Sequence, residues 1–178
     1  MRVLLKISFL GTAYHGWQVQ PNGITVQQVM QDALESLYKL RPNLSGCSRT
    51  DAGVHANEFY CHYDISAKIP ENGIVHALNA KLPDDIVVLS AEYVSDDFHS
   101  RYSAKGKNYI YKIHNSNSLS PFNADRMLHI DRELNIDLMN EFCKRIIGEY
   151  DFVGFSSSGR TDLAMISAKQ SGWAALVI

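Results

Sequence analysis

One helical stripe set between strand-like runs limits the fold of this chain more than any other feature. Thr25 stands at its start as an N-cap residue, and Gln28 three positions on completes a capping-box pattern. Val26, Val29, Met30, Ala33, Leu34, Leu37 and Tyr38 then recur at helical spacing, so one side is apolar and must be covered. Pro42 is expected to end the helix. Residues 3–9 are apolar and β-branched, as a strand requires. A short strand is expected at 44–48 and a longer one at 58–65, where Phe59, Cys61 and Tyr63 alternate with Tyr60, His62 and Asp64. Residues 73–82 suggest a short helix through Ile74, Ala77 and Leu78, and 86–93 a further strand.

The order β-α-β-β-α-β is that of the split, ferredoxin-like (RRM-like) arrangement, which makes the chain an α+β protein with such a domain over residues 1–95. A second, incomplete α/β domain is expected over 96–178. Its elements are a strand at 107–114, in which Tyr109, Tyr111 and Ile113 share a face, and a helix at 136–148 with Leu138, Phe142 and Ile146 on its apolar side. A last strand-like piece covers 173–178. There is no internal repeat and no low-complexity tract.

Composition narrows the chemistry. The 178 residues are 46% apolar and 20% charged, ordinary for a soluble globular protein, and the N-terminus lacks a signal-peptide layout. No apolar run is long enough for a bilayer, so no membrane is expected and the cytoplasm is the expected location. The three cysteines form no Cys-x-x-Cys pair, and the seven histidines have no metal-ligand spacing. Neither glycine-rich phosphate fingerprint is present, so side chains alone are expected to do the chemistry, with no cofactor and no metal. Seventeen basic against nineteen acidic residues is not the footprint of a strongly basic nucleic-acid binder, although a neutral total leaves room for a local basic face.

The chemical interest lies in Ser48-Arg49-Thr50-Asp51-Ala52-Gly53-Val54-His55-Ala56, placed in the loop between two expected strands. It offers one carboxylate beside a guanidinium and a hydroxyl, with a glycine that allows close backbone approach. Asp-Ala-Gly alone is an ordinary turn, and Arg49 alone is a solvated charge. Tyr109 by itself is explained as a strand residue packed in a core. His55 has no serine or cysteine partner and reads as structural. Trp17 and Tyr14 suit either stacking on a ligand or folding over the sheet. Arg101, Lys105 and Lys107 form a modest basic cluster, explained equally by phosphate contacts or by a solvated strand face.

The run from Arg49 to Ala56 resembles the active-site signature of the TruA family of tRNA pseudouridine synthases. The resemblance extends through Tyr14-His15-Gly16-Trp17-Gln18, Asn79-Ala80-Lys81-Leu82-Pro83, Phe98-His99-Ser100-Arg101-Tyr102 with Tyr109-Ile110-Tyr111, and Gly148-Glu149-Tyr150-Asp151-Phe152. It holds in order and spacing from about residue 3 to about residue 156. What it implies is an isomerase that converts uridine to pseudouridine in the anticodon stem-loop of tRNA, at tRNA positions 38 to 40, acting as a homodimer. By the same resemblance Asp51 falls on the catalytic aspartate, Arg49 on the signature arginine and Tyr109 on the tyrosine that packs against the target base. A carboxylate that attacks and later leaves needs no redox cofactor. A uridine in a paired stem must be flipped out and held by stacking.

The chain departs from the family at its C-terminal end. The family's later phenylalanine-leucine and methionine-valine-arginine elements have no counterpart, and residues 163–170 do not read as the expected strand. A truncated or frame-shifted product is the expectation, with a non-catalytic RNA-binding remnant as the alternative function. A hydrolase built on Asp51 is weaker, since no second carboxylate stands at recognisable spacing.

Overall fold

The computed structural model describes residues 1–150 and 164–166, and the chain divides into two compact units, Met1–Ala104 and a second beginning at Lys105. The first unit contains β1 (Arg2–Phe9), α1 (Val26–Tyr38), β2 (Ser45–Gly46), β3 (Ala56–Asp64), α2 (Glu71–Asn79) and β4 (Ile86–Val94). The strands form one antiparallel sheet in the order β2-β3-β1-β4. β1 is central, and its strict alternation buries Val3, Leu5, Ile7 and Phe9 on one face. These pack with Phe59, Cys61 and Tyr63 of β3, Met30 and Leu34 of α1, and Ile74 and Leu78 of α2. The opposite face carries Tyr60, Val87 and Leu89, all exposed.

Two irregularities adjust the register. Between Lys6 and Ile7 the partner on β4 jumps from Ser90 to Val88, which inserts one residue and turns Leu89 and Ser90 away from the core together. Between Ile7 and Phe9 the partner on β3 moves from Phe59 to Ala56, next to the loop that carries Asp51.

α1 begins as its sequence predicts, with the Thr25 hydroxyl accepting from the Gln28 N–H at 3.3 Å. It ends at Tyr38, short of Pro42, because Lys39 adopts a left-handed conformation (φ 60°) and returns its N–H to the Glu35 carbonyl. Arg41 then folds back onto Asp32 and Glu35, and the Pro42 carbonyl accepts from Gln31. β2 is only two residues long, against the run expected over 44–48.

The second unit contains β5 (Ile113–Asn115), β6 (Leu128–Ile130), α3 (Ile136–Arg145), β7 (Gly148–Tyr150) and β8 (Ala164–Ile166). β5 and β6 pair in parallel, and β7 and β8 antiparallel. The strand expected over 107–114 is reduced to its last residues, because a strand needs a ladder partner and among the described residues only Ile113–Asn115 finds one, in β6. Residues 163–170 show the reverse: no strand was legible there, yet Ala164–Ile166 pairs with Gly148–Tyr150. α3 is capped by Asn135, whose side-chain oxygen accepts from Leu138 N–H, and it stops at Arg145 before Gly148 opens β7. Its expected apolar face is exposed at Leu138 and Phe142. Asp151, Phe152 and the strand-like piece at 173–178 lie outside the described residues. Among the described residues no helix is long and apolar enough to cross a membrane.

Candidate active site

The loop from Cys47 to His55 joins β2 to β3 and is held by backbone contacts with the loop that follows β1. The Trp17 N–H donates to the Thr50 carbonyl at 3.1 Å, and the Gly53 N–H donates to the Tyr14 carbonyl at 3.2 Å. Within the loop the Val54 N–H donates to the Asp51 carbonyl at 3.3 Å. Backbone can approach backbone here only because two positions lack a side chain. A Cβ on Gly16 would lie 2.3 Å from the Thr50 carbonyl oxygen, and one on Gly11 would lie 2.0 Å from that of Val54.

The aromatic residues of the supporting loop face inward. Trp17 is buried, with its ring 4.3 Å from that of Phe59, and its indole covers Gly46, where a Cβ would come within 2.6 Å of Nε1. Tyr14 is also buried, and its hydroxyl donates to Asp85 at 2.6 Å. Burial first, then the Asp85 carboxylate, raises the Tyr14 pKa and keeps the phenol protonated. Of the two readings open for Trp17 and Tyr14, these positions select the loop folded over the sheet. His55 receives the Gly11 N–H on Nδ1 at 2.9 Å, which ties the far end of the loop to the start of the supporting one. The Ser8 hydroxyl donates to the Ala56 carbonyl at 2.9 Å just beyond it.

On this clamped base Arg49 and Asp51 both project as exposed residues. They share the loop without forming an ion pair, and among the described residues neither side chain has a hydrogen-bond or ion-pair partner. The carboxylate is therefore positioned by its backbone and accessible to a ligand. Between the two residues, Thr50 buries its hydroxyl, which also lacks a partner among the described residues. Tyr109 belongs to the second unit, on the irregular stretch before β5, with 42% of its surface exposed.

The dependence of the Asp51 loop on Gly11 and Gly16 is not legible in the sequence, where those glycines only bracket a loop. The signal was the pair of glycines at a strand end facing a second Gly-containing loop. Asp85, which anchors Tyr14, left no local signal at all.

Comparison with known proteins places this architecture. A family model described as tRNA pseudouridine synthase matches residues 6–103, which run from within β1 through β4 and include the Asp51 loop. The tRNA pseudouridine synthase A of Ruminiclostridium cellulolyticum is 44% identical over 158 residues, covering 89% of this chain and 64% of its own length. The protein of the same name from a Thermoanaerobacter species is 43% identical, with 92% of this chain and 67% of its own length covered. That of Staphylococcus saprophyticus is 42% identical, with 88% and 59% covered. The chain thus spans about three fifths to two thirds of the length of these curated relatives. With the family model matching more than half of its residues and relatives above 40% identity, the chain belongs to the tRNA pseudouridine synthase family.

Proposed function

We propose that this chain carries the catalytic loop of an isomerase that converts uridine to pseudouridine in the anticodon stem-loop of tRNA, with Asp51 as nucleophile. The observation that supports the reading most is the state of Asp51: exposed, without a partner among the described residues, and mounted on a loop locked to its neighbour by backbone hydrogen bonds. A nucleophile held this way meets substrate without first breaking an ion pair.

The reaction breaks the bond between N1 of the base and C1′ of the ribose and forms a bond from C5 to C1′. C5 loses a proton and N1 gains one, so nothing is oxidised or reduced. The carboxylate opens the exchange by adding to the sugar or to the base and departs once the base has turned. Arg49, two residues from Asp51 and without a carboxylate of its own among the described residues, is available for the phosphate backbone or for the space that the flipped base leaves. Tyr109 is assigned to stacking against the flipped uracil, and its partial exposure is compatible with that task. The strand order β2-β3-β1-β4 supports reading the first unit as a ferredoxin-like domain, and a homodimer is the assembly that goes with the reading.

The test is pseudouridine formation in unmodified tRNA transcripts by this 178-residue chain. Site-specific product that disappears in Asp51→Asn supports the proposal. Equal product from folded Asp51→Asn removes Asp51 from the chemistry.

A further inference from the structure

The arginines of the first unit fall into two groups. Arg2 grips Asp64 through two hydrogen bonds of 2.9 and 2.8 Å, and Arg41 pairs with Asp32 and Glu35. Among the described residues Arg49 and Arg101 have no carboxylate partner. In a chain with a formal net charge of −2, two guanidiniums left without counter-charge mark where an anion is expected.

Arg101 sits on a turn built for presentation. The His99 carbonyl accepts from Ser103 N–H at 2.8 Å, the His99 N–H donates to the Ser103 hydroxyl at 3.1 Å, and His99 Nδ1 accepts from Arg101 N–H at 3.2 Å. Ser100, itself buried, fixes the turn to the sheet: its hydroxyl donates to the Ser45 carbonyl at 2.8 Å, and its N–H donates to His62 Nδ1 at 3.2 Å. Ser45 begins β2, which leads directly into the Asp51 loop.

A ladder of rings runs outward through the same turn. The buried His62 ring lies 4.7 Å from His99, and His99 lies 4.4 Å from Tyr102. Tyr102 remains 78% exposed, with the Arg101 guanidinium carbon 5.9 Å from its ring centroid. A rigidly backed aromatic face beside an unneutralised guanidinium suits an unpaired base and the phosphate next to it better than it suits an apolar partner.

We propose that the turn at residues 99–103 is an RNA contact separate from the Asp51 loop, in which Tyr102 stacks on an unpaired base and Arg101 engages an adjacent phosphate. The proposal rests on tRNA being the substrate. It is tested by anisotropy titrations of the full chain against a fluorescently labelled, unmodified tRNA transcript at several salt concentrations, with pseudouridine formation followed in parallel. Tyr102→Ala should weaken binding about ten-fold at fixed salt, whereas Tyr102→Phe should stay within about two-fold of the parent. Arg101→Gln should weaken binding and flatten the plot of log affinity against log salt by about one charge. Arg41→Gln, which removes an already neutralised guanidinium, should leave that slope unchanged.

Unchanged affinity in Tyr102→Ala, or an equal loss of slope in Arg41→Gln, overturns the inference. The two readings fail separately. Product that depends on Asp51, with affinity indifferent to the turn variants, keeps the isomerase and discards the turn. Binding that depends on the turn in a chain that forms no pseudouridine keeps the turn and discards the isomerase. A chain that binds no tRNA discards both.

Discussion

Gly16 and Gly53 share a left-handed backbone, with φ of 80° and 79°, but have opposite surroundings. A Cβ at Gly53 meets nothing within 4 Å, whereas one at Gly16 would strike the Thr50 carbonyl oxygen. Gly53→Ala should therefore cost only the conformational term, about 1 kcal/mol. Gly16→Ala must also push the Asp51 loop off its support, and its cost should exceed about 3 kcal/mol. Urea unfolding of the two variants checks the ordering, and equal losses would show that the loops do not depend on this contact. Thr50 gives a prediction of the opposite sign. A buried hydroxyl without a partner forfeits its hydration, so Thr50→Val should raise stability by about 1 kcal/mol in the same measurement. A loss instead would show that the hydroxyl is satisfied in solution. At this scale the residue types were legible before their contacts were. Asp51 stood out through its neighbours in sequence, but nothing local linked it to Gly16, because the link is a backbone contact across distant positions.

The edge strand β4 shows what an element needs beyond its own pattern. Asn79 presents its side-chain amide to Val88 as a neighbouring strand would, donating to the carbonyl at 2.9 Å and accepting the N–H at 2.8 Å. Glu71 accepts the Tyr93 N–H further along at 3.1 Å. Together they occupy hydrogen-bonding groups that would otherwise template aggregation. Asn79→Ala should cost about 2 kcal/mol and speed amide exchange at Val88, since that residue is nearly buried and its groups would be left unpaired. On the opposite side of the sheet, His62 couples β3 to the turn at Ser100. Burial first, then the charge of Arg2 and the proximity of His99, push its pKa below the usual 6.5, against a smaller opposing pull from Asp64. The unfolded chain therefore takes up this proton at higher pH than the folded one. The His62 contribution is complete above pH 6.5 and declines as pH falls through the folded value. The Asp64 carboxyl, held down by Arg2, contributes stability that is complete above 3.8 and is lost as pH falls through its lower folded value. The urea midpoint should fall as pH drops below about 6.5, and His62→Gln should flatten that fall. These couplings also explain which elements could be read in advance. α1 and β1 carry their full period within themselves, so the sequence was enough to place them. The stretch before β5 has the alternation of a strand but, among the described residues, lacks a partner over most of its length, and alternation cannot reveal that. Ala164–Ile166 has a partner and too few residues to display a pattern.

Among the described residues, burial is divided unevenly between the two units. The hydrophobic core found among them runs from Val3 to Ala91 and lies in the first unit. None of residues 105–148 is buried. The first unit also closes its own ends. The Arg2 guanidinium donates to the Asp96 and Phe98 carbonyls at 2.7 and 2.6 Å, and Ser100 is held by Ser45 and His62. A unit with its own core, satisfied edges and an anchored terminus has what independent folding requires. A fragment ending at Ala104 should therefore unfold in one cooperative step, with a urea midpoint close to that of the corresponding transition in the full chain. The readout must resolve the Asp51 loop as well as the core. Amide exchange serves this purpose, with protection expected at Trp17 and Gly53, whose N–H groups join the two loops. A fragment with native helix content but no cooperative transition would mean that the core is not sufficient by itself. A cooperative fragment with unprotected Trp17 and Gly53 amides would mean that the sheet folds alone while the active-site clamp needs the rest of the chain. Protection at both would locate the mounting of the Asp51 carboxylate wholly within residues 1–104.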